Sequence, residues 1–387
     1  MFRHFMLPAL VGLGLVVSLP SGLAQASSPS GTSWRTVAQL GPPQGVTYDS
    51  YFVATGPDDA WSTWGDCAPC GGSHPATDYW LERWNGRAWH RVALPAEVAS
   101  RMPDVVALTA SSAGDAWLIF GTGGKVAHWN GGRWKLVTIP AWVVHFNLSG
   151  DTDVAAADFG PGGLWVFSLG QDSFKPATYY GAHYDGQHWI KVPLPGVPDV
   201  VQAPGPKDIW ATMTPRSLHG SPFLTHWNGR SWSRLAIPAA EHIPPHHTGS
   251  VADLLALGSK NLWLQQDYRQ GETGPERTTS LLHWNGSKWA RIKYGYATDE
   301  VQFMASDGHG GLWLSDEGPG RQQPRYLVHD ANRRWTRQLV PAPAGMAVQQ
   351  LLTLTNVPGT TLMWATGGIF PVHSTTVVIG AIFKYGR

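Results

Sequence analysis

The chain has 387 residues, and its 28 Lys and Arg against 27 Asp and Glu leave a formal net charge of +1. A balance that close gives no electrostatic reason to expect nucleic-acid or anionic-membrane partners. Charged residues make up only 14%, while 45 Gly, 30 Pro and 21 Trp argue against long helices and for many short strands joined by turns.

The first segment has the character of an export signal. Met1-Phe2-Arg3-His4 is a short positive start, an apolar stretch follows from Phe5 towards Leu19, and Ala24-Gln25-Ala26 offers a small-x-small cleavage pattern. Pro8 and Pro20 interrupt the apolar run, which is too short to span a bilayer comfortably. Residues 1–26 are therefore expected to be a signal peptide, and residues 27–387 a secreted, extracellular domain with no membrane insertion. The two cysteines, in Asp66-Cys67-Ala68-Pro69-Cys70-Gly71, are expected to close a small structural disulfide in an oxidising compartment. A redox role would need a helix N-terminus and a βαβ surrounding, and neither pattern is present.

Past the leader, one phrase recurs: Trp84-Asn85-Gly86-Arg87-Ala88-Trp89, then Trp129–Trp134, Tyr184–Trp189, Trp227–Trp232 and Trp284–Trp289, with a decayed copy from His329 to Trp335. Asn-Gly or Asp-Gly between apolar runs is a strong hairpin signal. A two-residue turn at Asn85-Gly86 sets Trp84 opposite Arg87, and makes Trp84 and Trp89 a diagonal pair on one face. A second phrase, a turn followed by a short strand with one Trp, places Trp61, Trp117, Trp165, Trp210, Trp263, Trp313 and Trp364 at intervals of 56, 48, 45, 53, 50 and 51 residues. An apolar run precedes each. The repeating unit is thus four strands, a to d, and the count is seven: an all-β, seven-bladed β-propeller of antiparallel blades.

The last unit shows strand a at Val348–Thr355, strand b around Trp364 and strand c at Thr375–Lys384, and then the chain ends. Its missing strand d is expected at the other end, because Trp34-Arg35-Thr36-Val37 mirrors Trp89-His90-Arg91-Val92. An N-terminal strand completing the last blade closes the ring. The regular recurrence of the strand-b and hairpin Trp residues marks them as inter-blade packing rather than a ligand-stacking set.

The aromatic-Asn/Asp-Gly-x-x-Trp hairpins resemble the outer strands of kelch-type blades, with double glycines at Gly123-Gly124 and Gly367-Gly368. The Gly-x-Leu-Trp strands resemble blades of two-component-regulator sensor propellers and of streptogramin lyase. These resemblances imply a propeller and carry little about function.

Candidate site residues fall on one side. The b–c and d–a connections emerge on the face called the top, and they are long and unlike one another, as binding loops are. Trp64, Trp80 and Trp142 lie outside the main phrases and, with Tyr268, are candidates for loop recognition. Asp49, Asp104, Asp153, Asp199, Asp253 and Asp299 lie ten to fourteen residues before their blade's Trp, with Gln350 in the seventh position. If strand a begins at the channel mouth, these carboxylates form a ring suited to Ca²⁺, an amine or a hydroxyl-rich ligand. Alternatively each accepts backbone N–H bonds and fixes an entry turn. His242, His246 and His247 form a dense cluster that can be a Zn²⁺ or Cu²⁺ site or a solvated loop.

Gly-x-Ser-x-Gly, phosphate-loop and His-Glu-x-x-His motifs are absent. The expectation is a monomeric binding module that recognises a glycan, small molecule or extracellular protein through its top face. The alternatives are an extracellular glycoside hydrolase or lyase at the channel mouth, and a structural cell-surface interaction module.

Overall fold

Among the described residues, twenty-eight strands fall into seven antiparallel sheets of four, one per expected blade. The computed structural model describes residues 33–40, 46–67, 78–96, 105–120, 124–144, 154–160, 163–168, 179–215, 222–239, 248–269, 276–293, 301, 303–316, 325–331, 334–373 and 378–386. Strand β1 (Trp34–Leu40) precedes blade 1, which is β2 (Val46–Gly56), β3 (Asp59–Cys67), β4 (Asp78–Trp84) and β5 (Trp89–Val92). Blade 2 is β6 (Val105–Ser112), β7 (Asp115–Phe120), β8 (Lys125–Trp129) and β9 (Trp134–Thr138), followed by a one-turn helix α1 (Ala141–Val144). Blade 3 is β10 (Val154–Ala157), β11 (Leu164–Ser168), β12 (Tyr180–Tyr184) and β13 (Trp189–Pro193). Blade 4 is β14 (Val197–Gly205), β15 (Asp208–Thr214), β16 (Phe223–Trp227) and β17 (Trp232–Leu235). Blade 5 is β18 (Thr248–Ala256), β19 (Leu262–Arg269), β20 (Glu276–Trp284) and β21 (Trp289–Ile292). Blade 6 is β22 (Met304–Ser306), β23 (Leu312–Asp316), β24 (Tyr326–Ala331) and β25 (Arg334–Leu339). Blade 7 is β26 (Met346–Asn356), β27 (Met363–Pro371), β28 (Ile379–Tyr385) and, on its outer edge, β1.

The ring closes as the sequence implies. Trp34 pairs with Tyr385 and Leu40 with Gly380, and the inner strands β2 and β26 touch at the join. Closure gives the outer edge of β28 a partner. The Arg35 guanidinium donates to the Gly386 carbonyl, and Thr36 Oγ1 to the Pro341 carbonyl of blade 6 at 2.7 Å.

One expected register is corrected. Trp84 sits directly opposite Trp89, and the turn takes four residues instead of two. Asn85 is the cause: its Oδ1 accepts the backbone N–H of Arg87 at 3.0 Å and of Ala88 at 2.9 Å, and Gly86 takes a φ of 87°. The side chain thus builds an Asx-type turn within the hairpin. Asn130, Asp185, Asn228 and Asn285 repeat the device. The double glycine Gly367-Gly368 lies inside β27 rather than after it, and a Cβ on Gly367 would come within 2.3 Å of the Gln350 carbonyl oxygen.

Each strand-b Trp packs against the hairpin of the next blade. Trp61 meets Trp129 and Trp134 at 5.6 and 5.9 Å, Trp313 meets Trp34 and Tyr385, and Trp364 closes the circle on Trp84 and Trp89. A strand-c side chain covers the ring within each blade. His128, His183, His226, His283 and His329 stack on Trp117, Trp165, Trp210, Trp263 and Trp313 at 4.0–4.6 Å, while Arg83 and Lys384 lie over Trp61 and Trp364. The turn before strand b holds that covering group: His128 engages Asp115 at 2.6 Å, His226 Asp208 at 2.8 Å, His283 Asn261 at 2.8 Å and His329 Asp307 at 2.9 Å. The acidic residue of the repeated phrase is thereby a clamp on the blade's own core.

Candidate functional site

The a-b-c-d order puts the b–c and d–a connections on one face. They run from three residues (194–196) to fifteen (139–153), whereas the turns on the opposite face take two to six. Several of the expected site residues, Asp104, Asp153, Asp299, His242, His246, His247 and Cys70, lie outside the described residues. Cys67 ends β3 opposite Val46.

Two of the aromatic candidates are placed differently from expectation. Trp64 and Trp80 are strand residues, paired with each other across β3 and β4 and buried at 0% and 6% exposure. Trp64 fills the junction between blades 7 and 1, pressed so closely on Gly380 that a Cβ there would come within 2.2 Å of its ring. Strand alternation explains this: three residues after Trp61, Trp64 faces the preceding blade, whereas Trp61 faces the following one. Arg91 lies 4.8 Å over Trp80. Trp142 is on α1, half-buried, with Lys191 4.8 Å over its ring. The backbone of Tyr268 pairs with Gly249 and Arg277 near the top of β19.

Of the six carboxylates, Asp199 and Asp253 are the two whose side chains are described, and they do not share one setting. Strand a carries a bulge eleven residues before the blade Trp in blades 1, 2, 4 and 5, leaving Ser50, Val106, Asp199 and Ala252 without a partner. Counted from that bulge, Asp49 comes one residue before, Asp199 at it and Asp253 one after. Adjacent strand residues point to opposite faces, so Asp199 and Asp253 occupy different settings. Gln350 pairs with Gly368.

Asp199 is half-buried and accepts the Thr214 hydroxyl at 2.9 Å, and burial raises its pKa. Asp253 accepts the backbone N–H of Leu254 at 2.7 Å and, across the blade junction, that of Met304 at 3.0 Å. Part of the residue reaches the surface, but its carboxyl is packed round by protein. That desolvation raises its pKa to about 7, with nearby Asp267 adding to the rise and the two N–H groups opposing it.

Asp253 leads to a group that sequence reasoning missed. Directly opposite it on β19 is Gln265, fully buried, and beyond it are Gln266 and Asp267 at 4% and 1% exposure. Gln265 Nε2 donates to both Asp267 oxygens, at 3.1 and 3.0 Å, and to the Val301 carbonyl at 2.5 Å. Gln266 Nε2 donates to the Pro238 carbonyl at 2.8 Å. The signal was present: after its Trp, blade 2 continues Leu118-Ile119-Phe120, whereas blade 5 continues Leu264-Gln265-Gln266-Asp267. Chemically, Asp199 presents a partly exposed carboxylate acceptor in the top half of blade 4, whereas Gln265 and Asp267 beside Asp253 are buried and engaged with each other inside blade 5. Among the described residues no group of three or more His, Cys, Asp or Glu side chains is arranged to hold a metal ion. No helix among them is long and apolar enough to cross a membrane.

No protein-family model and no curated protein matches the sequence. Solved structures match it over most of its length. YCF48 bound to D1 peptide is 12% identical, with a TM-score of 0.50, and the match covers 92% of this chain and 100% of that one. A puromycin-hydrolyzing peptidase of Mycobacterium tuberculosis is 11% identical, with a TM-score of 0.52, covering 89% of this chain and 52% of that one. The Cps50 (Swd1) β-propeller domain of Myceliophteria thermophila is 10% identical, with a TM-score of 0.50, covering 90% and 99%. At these identities the likeness establishes the propeller fold.

Proposed function

We propose that the chain is a secreted propeller that binds a ligand through its top face, with the recognition centre at the mouth of blades 4 and 5. The asymmetry of the two faces carries this reading: turns of two to six residues on one side and connections of three to fifteen on the other. A rigid frame that varies on one side only suits recognition there. Asp199 supports the placement, since among the described residues its partly exposed carboxylate has only a hydroxyl partner, and a bound donor would offset its desolvation. A hydroxyl-rich glycan, an amine or Ca²⁺ each fits such acceptors. The propeller of YCF48 was solved with a peptide, so an extended ligand belongs in the same test.

Calorimetry with Ca²⁺, a small amine and an extended peptide, together with a glycan array, tests the reading on the intact chain and on Asp199→Asn. The expected result is at least one probe whose binding weakens about tenfold while the melting temperature holds, since a lost charge-assisted bond is worth roughly 1.5–3 kcal/mol. Binding that Asp199→Asn leaves unchanged, or no binding in any arm, overturns the placement.

A further inference from the structure

The near-zero net charge conceals an uneven distribution. The face opposite the proposed site is built from the a–b and c–d turns, and in blades 4 and 5 each pair of turns carries two exposed cations: Lys207 with Arg230, and Lys260 with Lys288. Glycines in the hairpins bring the two turns together. A Cβ on Gly229 would come within 2.6 Å of Lys207 Cγ, and one on Gly286 within 2.8 Å of Lys260 Cγ, so each lysine stem lies along the neighbouring turn. In blade 1 Asp58 takes that place over Gly86, beside Arg87, and the pair is neutral. Exposed Arg334 extends the basic run into blade 6.

The two acids that begin or precede strand b in blades 4 and 6 are already engaged. Asp208 is held by His226 and by Trp210 Nε1 at 2.7 Å, and Asp307 by His329 and by the backbone N–H groups of His309 and Gly311. Among the described residues none of the five cations has a carboxylate within ion-pair distance. Like charges held together without counterions are the footprint of an anionic partner.

We infer that the turn face of blades 4 and 5 is a docking surface for an acidic polysaccharide, a binding function separate from the top-face site. The chemistry of the face selects that partner. The hairpin tryptophans Trp227, Trp232, Trp284 and Trp289 are half-buried against one another, so no open aromatic face awaits a nucleobase. Leu257 is the one large apolar side chain exposed there among the described residues, too little to enter a bilayer or anchor a protein interface. Asn228 and Asn285 use their Oδ1 atoms within the turns, and their amide nitrogens remain as donors to sugar hydroxyls beside the cations.

The test uses the intact chain and polygalacturonate, a linear polyuronate, as the probe. At low salt the chain is expected to bind and to be released as salt rises, because contacts between exposed charges are screened. Lys207→Glu with Lys260→Glu is expected to weaken binding about tenfold or more with an unchanged melting temperature, since neither lysine holds the fold together. Asp199→Asn is expected to leave polyuronate binding intact, which separates this surface from the top-face proposal. Three results overturn the inference: no binding of wild type at low salt, equal binding by the double variant, or equally tight binding to duplex DNA or to phosphatidylglycerol vesicles.

Discussion

Blades 2 and 5 share a frame and differ in what fills it. Each has a strand-a bulge eleven residues before its Trp, a stacked His, and a clamp residue in the turn before strand b. Two residues past the Trp, blade 2 places Ile119 opposite Ala107, whereas blade 5 places Gln265 opposite Asp253. Ile119 and Gln265 are both fully buried. The frame is indifferent to the polarity of that layer, so the polar pair in blade 5 is a departure that stability alone does not require. Burying it has a cost unless every group is hydrogen-bonded. The contrast separates residues that make a blade from residues that make this blade different.

The largest expected effects test the shared part. Trp117→Ala and Trp263→Ala should each destabilise by about 3–5 kcal/mol, because each ring fills an inter-blade gap that its neighbours cannot close. Urea unfolding of both variants checks this. If Trp263→Ala alone were tolerated, the junction between blades 5 and 6 would not rest on the same packing as that between blades 2 and 3.

A smaller effect tests the difference. Gln265→Leu mimics blade 2 and removes the donor that spans both oxygens of Asp267, which should cost about 3 kcal/mol by leaving a buried charge less supported. Adding Asp267→Leu should restore most of that loss, since replacing both partners with apolar groups is often near neutral. The conservative Ile119→Val in blade 2 should cost only about 0.5–1.5 kcal/mol. A double variant less stable than Gln265→Leu would show that the pair belongs to the frame after all.

The frame was legible in the sequence because it repeats. Seven Trp at near-regular intervals counted the blades, and the match of Trp34 to Trp89 foretold the closing strand. The hairpin register was mistaken because an Asn-Gly pair suggests a two-residue turn, while the Asn85 side chain makes two further bonds that only coordinates reveal. Trp64 and Trp80 stood out for lying off the main repeat, yet that irregularity marks the special junction where the first blade meets the last. The acidic set was harder. Counted back from the blade Trp, Asp199 and Asp253 differ by one position, but Asp199 sits at a bulge and Asp253 just past one, and a bulge leaves no composition signal. Gln265 and Asp267 were visible as an interruption of an apolar strand, once strand b is compared blade by blade from its Trp.

The pH dependence of stability sharpens the comparison further. Asp253 occupies the register position of Ala107, so blade 2 has no titrating group there. In the folded chain burial raises the Asp253 pKa to about 7, while in the unfolded chain it should return to about 3.9. Below pH 4 both states hold the proton, and the residue contributes no slope. Between about pH 4 and 7 the folded state keeps a proton that the unfolded state has released, so stability falls as pH rises, by up to about 1.4 kcal/mol per unit for each such group. A second group shares this behaviour at the other end of the molecule. Asp158, buried against the blade 2 turn and accepting the N–H of Ser111 and Gly160, is also raised to about 7, by desolvation first and then by Asp115. Asp307 acts in the opposite sense. Burial pushes it up, but His329 and two backbone N–H groups hold it below the usual carboxylate value, so its contribution is lost only in acid, outside this window. Asp253→Asn keeps an acceptor for one of the two N–H groups and removes one titration; Asp158→Asn removes the other. Urea midpoints between pH 4.5 and 7.5 should therefore fall with pH in wild type, less steeply in either single variant, and least in the double variant. Half-buried His183, its pKa lowered by desolvation, adds a slope of the opposite sign, so the variants decide. Slopes identical in wild type and all three variants would mean that both carboxyls are ionised at neutral pH, and that blade 5 holds its extra charge by hydrogen bonds alone.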